Sequence, residues 1–445
     1  MERIKSVFDL FGAGKIWLVG GAVRDHFLQG LKFEDIKDLD FATSLSPDEI
    51  SYTLSKNKYE TWLSGFRYGT IACPGFQVTT LRQDEYKDSR FPKVEIVTSI
   101  EKDLQRRDFT INAMAMGPDN HLIDPFGGEE DWKKNLLRTP REASTVFNED
   151  PLRMLRGFRF ISSFGLSLDK EAYDAISTST DMILLISKER WLMEWDKLVL
   201  GNYLKKALDT MRKSGLLQKM IPELVALYNL GQGSQFHSKD AWNHTLMVAS
   251  IIKPTPLLRW AAIMHDIGKS RTRSEKEGNG VHFYRHEEVG EIMWRDIAHR
   301  FKMSNERTEQ VAQLIKLHMR SALYENWSDK AVRRFRHEMG ELLEEQLALS
   351  EADITSHKPE RVVSALTKLK ELESRLHTLP DEVAKKSPLP QGVGNLIMSI
   401  LQLSPGKEVG KIKQQLEQAV VDGDIESSHK AIISRLEDMK KNRGE

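Results

Sequence analysis

The sequence predicts an α+β protein, with a mixed sheet and helices at the N-terminal end followed by a long helical remainder. Three observations predict this class. Short runs rich in β-branched and aromatic residues recur through the first 130 residues. From about Glu149 onward the pattern changes to long helical segments with few β-branched clusters. A chain of 445 residues is also too long for one core, so two to four domains are expected.

The elements can be justified in order. KIWLVGG (15–21) is a short apolar strand that Gly20-Gly21 ends, and the AVRDHFLQG that follows has helical spacing up to Gly30. DLDFAT (38–43), TIACPGFQVTTLR (70–82) and KVEIVTS (93–99) have strand-like length and composition. Beyond the helical switch, Gln232 to Asp240 is rich in Gly, Ser and His and reads as a linker or entry loop. A turn around SPLPQG (387–392) precedes a last helical segment, which SPGKEVG (404–410) breaks, and the terminal KKNRGE should fray.

Composition narrows the class without naming a function. Apolar residues at 40% and charged residues at 29% are ordinary for a globular chain. No apolar run approaches the roughly 20 residues that cross a bilayer, so no membrane partner is expected. The charged N-terminus lacks a signal-peptide pattern, and a cytoplasmic location is expected. The single Cys73 excludes an internal disulfide and reads as a buried filler. Lys plus Arg equals Asp plus Glu at 65 each, so bulk charge gives no support for nucleic-acid binding. That conclusion has to come from motifs.

The first constellation is Gly20-Gly21 followed by Asp38 and Asp40. Alternation along a strand puts residues i and i+2 on one face, so the two carboxylates project together. They are hard oxygen ligands suited to Mg²⁺, which also keeps water and phosphate oxygens. The glycines let backbone approach a triphosphate, with amides before a helix open to anions. Two-metal phosphoryl transfer is the chemistry this pattern serves. The plainer reading, a turn and two solvated carboxylates, is as common for an isolated D-x-D.

The motifs around it resemble, in order, the DNA polymerase β-type nucleotidyltransferase superfamily, specifically class II tRNA nucleotidyltransferases and bacterial poly(A) polymerases. WLVGGAVRD (17–25), which includes Arg24, and DLDFAT resemble the head of that family; RRDFTINAMAM (106–116) resembles its second motif. DPFGG (124–128), with Asp131 and Arg138, resembles the hinge to the neck. EDPLRMLRGFRF (149–160) resembles the base-selecting helix, and ERWLMEWDKL (189–198) the helix that supports it. The resemblance implies metal binding at Asp38 and Asp40, and nucleotide binding at Gly20, Gly21, Arg24, Arg107, Asp108, Asp150, Arg153, Arg156 and Arg159. Two departures stand out. Gln77 in FQVTTLR occupies the place where relatives commonly carry a third carboxylate, so either the two aspartates suffice or activity is reduced. EYKDSRFP (85–92), which resembles the family's flexible loop, is about one residue short.

Asp150 and Arg153 illustrate how such a site can choose bases. Cytosine and adenine both present an amine donor beside a ring-nitrogen acceptor, which a carboxylate and a guanidinium complement. Uracil and guanine would leave Asp150 facing a carbonyl oxygen, at a cost of about 1–3 kcal/mol per unpaired group. On these residues alone, a helix N-cap at Asp150 before Pro151, with Arg153 as a local ion-pair partner, is the simpler reading. The flanking Glu149 and the Arg156/Arg159 continuation favour the family role.

A second constellation runs His244, His265-Asp266, His286, His318, Asp353, a His and carboxylate mix suited to a divalent metal. Gly268 should close the helix after the pair, and Lys269 is placed to meet a phosphate. The ordered set resembles the HD superfamily of metal-dependent phosphohydrolases. That implies His244, His265, Asp266 and Asp353 as core ligands for Mg²⁺, Mn²⁺ or Ni²⁺, with His286 and His318 supporting a second metal. His237, His282 and His357 receive no role.

The expected organisation is a nucleotidyltransferase head at 1–137, an all-helical neck at 138–230, an HD-type domain at 231–360 and a tRNA-binding helical tail at 361–445. The expected activity is addition of CCA to the 3′ end of tRNA from CTP and ATP, with an HD phosphohydrolase-type site. A CC-only or A-only enzyme is the alternative within the class. An HD phosphohydrolase with an inactive nucleotide-binding head, or a tRNA-binding protein with both sites empty, would be a different class.

Overall fold

The computed structural model describes residues 2–12, 14–85, 93–231, 240–276, 280–322, 324–325, 327–355, 358–379 and 389–441. The linker at 232–239, most of the loop at 85–92, and Ser387-Pro388 of SPLPQG lie outside these residues. The chain forms two units, one of Met1–Val225 with Arg300–Lys302 and the other of Ala226–His299 with Met303–Glu445.

Eight short strands lie in the head: β1 (Ile16–Val19), β2 (Leu39–Thr43), β3 (Thr70–Cys73), β4 (Phe76–Thr80), β5 (Arg82–Glu85), β6 (Lys93–Ile96), β7 (Ala115–Met116) and β8 (Leu122–Ile123). Six form a mixed sheet in the order β3-β4-β2-β1-β7-β8, and β5 pairs with β6 as a separate ribbon. β2 and β4 run parallel, and the other neighbours in the sheet are antiparallel. Leu18, Phe41, Ile71 and Val78 point from these strands into a core shared with Phe8, Phe11, Ile50 and Leu54 of the flanking helices. The helix Pro47–Lys56 begins with a reciprocal capping box between Ser46 and Glu49, which fixes its start beside the sheet.

The segment 70–82 differs from the single strand expected. It folds back on itself as the β3–β4 hairpin, because Pro74 and Gly75 supply a tight turn with Gly75 at φ 81°. Asp38 sits one residue before β2 rather than within it.

The helical part of this unit centres on Leu152–Phe164, packed against Lys188–Leu198 and Leu204–Lys213 over fully buried Phe158, Trp191 and Trp195. Gly157 allows this helix to meet the Phe109 ring, since a Cβ there would stand 3.0 Å from Phe109 Cζ. Gly165, at φ 72°, ends it.

The second unit packs helices Ala241–Ile251, Pro256–Met264, His286–Arg300, Asn305–Ala322 and Leu343–Asp353 around buried Trp242, Trp260 and Trp294. Helices Val393–Leu401, Lys407–Val421 and His429–Lys441 enclose their own core of Ile397, Leu416, Ile432 and Leu436. Past the head sheet the described residues are mostly helical rather than all-helical. Leu136–Leu137 runs parallel to Ser167–Leu168, and Arg273–Lys276 pairs antiparallel with Gly280–Phe283. These are extended stretches between helices that satisfy one another's backbone groups.

Candidate active sites

A cavity of about 620 Å³ opens where the head sheet meets the helix Leu152–Phe164. Asp38, Asp40, Gly20, Gly21 and Arg24 line it from the head. Arg107, Asp108, Asp150, Arg153, Arg156 and Arg159 complete its wall, so every nucleotide-site residue expected from the sequence faces one space. Residues up to 139 positions apart converge because the end of β1, the β2 entry and the helix line one cavity.

On the carboxylate side, parallel pairing of β2 with β4 sets Asp40 opposite Gln77, and the Gln77 amide donates to Asp40 Oδ1 at 2.7 Å. Burial raises the Asp40 pKa above the ordinary carboxylate value, opposed by Gln77 and by Arg107, with the charge of Asp38 adding to the rise. A buried carboxylate that disfavours a lone charge, with a second carboxylate lining the same cavity, is a receptive site for a divalent cation. Gly20, at φ 69°, carries the turn beneath them, and its backbone N–H donates to Met114 O at 3.2 Å. A Cβ at Gly20 would stand 2.8 Å from the Arg107 guanidinium.

The opposite wall is a layered ion-pair network. Asp108 is buried and accepts from the Phe109 amide (2.8 Å), Asn112 Nδ2 (3.0 Å) and Arg156 Nε (2.7 Å). Although burial would raise it, Arg156 and these donors hold its carboxyl well below the usual range. Arg159 pairs with Glu194 at 2.9 Å, and burial with the neighbouring Arg156 charge lowers its pKa to about 10. Buried Asp103 receives Arg106 and Arg107 at 2.9 and 3.0 Å. Arg24 donates to Asn112 Oδ1 at 2.7 Å, with its guanidinium 4.8 Å from the Phe164 ring centre.

The pair read for base selection is arranged differently from two neighbours on one helix. Asp150 lies just before the helix, accepting from the Leu152 amide at 3.2 Å and from Arg190 at 2.9 Å. Arg153 is buried, donating to Arg106 O at 2.7 Å and to Glu149 at 3.2 Å, and Glu149 is clamped by Arg141 at 2.9 and 2.6 Å. Sequence reading assigned nothing to Asp103, Asn112, Arg190 and Glu194. Each lies within or beside a quoted motif, but only tertiary contact reveals its partner.

The second site gathers four imidazoles around two carboxylates. His244 Nε2 stands 2.9 Å from Asp353 Oδ1 and 3.4 Å from Asp266 Oδ2, while His265 Nε2 is 3.3 Å from Asp266 Oδ2. Asp266 Oδ1 faces His286 at 3.3 Å and His318 at 3.9 Å. Two groups that can hold a metal result, His244/His265/Asp266 and Asp266/His286/His318, sharing the one carboxylate. The Nδ1 atoms of His265, His286 and His318 contact the carbonyls of Ala262, Phe283 and Ile315 at 2.8, 3.0 and 2.6 Å. That backbone contact orients each ring with Nε2 inward, as a metal ligand requires.

The electrostatics fit a cation. Burial opposes protonation of His265, yet Asp266 and Asp353 raise its pKa to about 10. Asp266 itself lies well below the carboxylate range despite burial, held there by His265 and Lys269. His318 is lowered to about 4 by burial and by the His265 charge, which leaves it a neutral donor. Gly268 has ordinary φ, so it does not close the helix as a left-handed cap. A Cβ there would stand 2.0 Å from His286 O, so glycine permits that helix start to approach the His265-Asp266 turn. Lys269 meets Asp266 at 2.7 Å.

Comparison with known proteins finds three families that match parts of the chain. The poly A polymerase head domain family matches residues 16–138, the family described as a probable RNA and SrmB-binding site of polymerase A matches 165–227, and the HD domain family matches 237–357. The chain is 37% identical over 263 residues to the CCA-adding enzyme of Geobacillus thermodenitrificans, covering 58% of this chain and 60% of that protein. The match to the Bacillus velezensis CCA-adding enzyme is 40% identical and spans 49% of this chain and 55% of the other. Over these first relatives the chain thus spans a little over half their length. The Bacillus cereus (strain G9842) CCA-adding enzyme is 28% identical over 98% of this chain and 99% of its own. The crystal structure of the Bacillus stearothermophilus CCA-adding enzyme in complex with CTP superposes with a TM-score of 0.70 at 25% identity, covering 100% of this chain and 98% of that one.

Proposed function

We propose that this chain, which belongs to the class II tRNA nucleotidyltransferase and bacterial poly(A) polymerase family and carries an HD domain, adds C and A nucleotides to the 3′ end of tRNA from CTP and ATP. The observation that carries the reading is the single cavity in which Asp38 and Asp40 face Arg107, Arg153, Arg156 and Arg159. Asp38 and Asp40 would hold Mg²⁺, which supplies charge to polarise the 3′ hydroxyl and to steady the pyrophosphate. Arg107 and the backbone around Gly20-Gly21 would bind the triphosphate, and Asp108 would meet the sugar while keeping Arg156 in place. Asp150 would accept the exocyclic amine that cytosine and adenine share, and Arg153, Arg156 and Arg159 would line the base. The head at 1–137, neck at 138–230, HD domain at 231–360 and tRNA-gripping tail at 361–445 are the corresponding division of labour, in a cytoplasmic enzyme.

The test is incorporation of labelled CTP and ATP, separately and together, into tRNA transcripts lacking CCA, CA or A. Ordered addition that stops after CCA is expected, and D38A and D40A should abolish it. Addition of C alone, or of the last A alone, would make the enzyme one half of a split pair. No incorporation on any transcript would sink the transferase reading.

A second activity is favoured by the shared-carboxylate geometry of the HD site. His244, His265, Asp266 and Asp353 would hold one divalent ion, and Asp266, His286 and His318 a second, to hydrolyse phosphate esters. Release of inorganic phosphate that survives in D38A would separate it from the head reaction.

A further inference from the structure

Beside the HD ligands lies a cavity of about 390 Å³ whose far wall belongs to the helix Pro359–Thr378, beyond the residues the HD family covers. His318 and Asp353 stand in its lining, so it adjoins the metal site directly. Arg361, Ala365, Lys368 and Leu369 recur at helical spacing on one face of that helix and close the other side. Ala322, Ile354 and Val362 add apolar surface, and Ser321, Ser350 and Tyr324 add hydroxyls. Ser321 and Ser350 bond to each other, and Tyr324 donates to Glu371 at 2.7 Å, so the wall is built rather than collapsed. Lys368 is held at its rim by Glu325 at 2.9 Å.

The pocket therefore has three zones: ligands for metal at one end, an apolar surface wide enough for a ribose and base, and two cations on the helical wall. A lone phosphate needs only the first. The two cations suit a second phosphate on the same molecule. We propose that this pocket takes a nucleotide bearing two phosphates, one ester phosphate at the HD ligands and the other against Arg361 and Lys368. The proposal rests on the phosphohydrolase reading of the HD site for its chemistry but not for its binding. In the reaction a water oxygen bonds to phosphorus, the bond from phosphorus to the ribose oxygen breaks, that oxygen takes up a proton, and inorganic phosphate leaves.

The test uses the full chain with adenosine 3′,5′-bisphosphate and adenosine 3′-monophosphate as probes. Binding is followed by equilibrium dialysis in excess CTP, which fills the head cavity, and phosphate release is measured with Mn²⁺. The bisphosphate should bind at least about tenfold more tightly than the monophosphate, as expected for charge-assisted contacts. R361A/K368A, two changes at exposed positions, should erase that preference while leaving the monophosphate affinity unchanged. A365W, which fills the apolar zone, should weaken both probes. Equal affinity for the two probes, or a preference that survives R361A/K368A, overturns the proposal even if phosphate is released. Selective binding lost in R361A/K368A without any phosphate release upholds the pocket and overturns only the hydrolase reading.

Discussion

Gln77 donates its amide to Oδ1 of Asp40 at 2.7 Å, from the neighbouring parallel strand. Gln77 thus touches Asp40 as a donor, where a carboxylate would be an acceptor. It fixes one oxygen of Asp40 and leaves the other for a cation.

Removing that donor should therefore cost positioning rather than folding. Q77A is expected to lower kcat for incorporation about tenfold, in line with a hydrogen bond to a charged group, with a near-unchanged melting temperature. Q77E should lower the Mg²⁺ concentration needed for half-maximal rate, because a third carboxylate joins the site. Wild-type Mg²⁺ dependence in both variants would show that Gln77 is a bystander.

Asp103 anchors the arginine wall from below. It is buried and would ionise less readily for that reason, but Arg107 and Arg106 hold its pKa below the ordinary value. A carboxylate depressed on folding stabilises fully above its unfolded pKa near 3.9, and that stability is lost as pH falls through the lower folded value. D103N should cost about 3 kcal/mol near pH 7, the range for breaking a buried pair. Urea melts on both proteins should begin to converge as the pH falls through the unfolded carboxylate value of about 3.9 toward the lower folded one. A constant difference down to that pH would refute the ionic account.

Asp150 is held by Arg190 at 2.9 Å, an arrangement that aims its carboxylate into the cavity. D150A should relax discrimination against UTP by about tenfold or more, the worth of one mismatched buried contact. R190A should raise KM for CTP and ATP together. If D150A discards UTP as strictly as the wild type, base choice lies elsewhere.

The HD site predicts a stoichiometry. Asp266 belongs to both groups, so D266A should lose every ion that H286A or H244A loses singly. With the head ligands removed by D38A/D40A, elemental analysis after dialysis against Mn²⁺ should give two ions per chain, one when H286A is added and none when D266A is added. In that background chelation should lower the melting temperature, and adding D266A should abolish the shift. Equal metal content in H286A and wild type would reduce the site to one ion.

Much of this was legible in the residues. The β-rich start, the switch to helices near Glu149 and the ordered Gly-Gly, D-x-D and His-Asp sets identified the α+β class and brought forward residues that the fold gathers into one cavity and one ligand cluster. Local chemistry explains why: strand composition, helical spacing and ligand type are properties of short windows. The hairpin at Pro74-Gly75 was also written locally, though β-branched residues on both sides of it let 70–82 read as one strand.

Partner choice was decided by the tertiary structure. Whether Arg153 meets Asp150 or Glu149 turns on where Arg106 O and Arg141 come to lie, 47 and 12 residues from Arg153 in the chain. That Gln77 serves Asp40 follows from strand order, since parallel pairing requires β4 to return beside β2. The sharing of Asp266 by two metal groups needs three helices and a turn that Gly268 lets close. Sequence by itself determined which chemical groups the protein owns. The fold decided which of them touch, because contact depends on non-local packing that no window of residues contains.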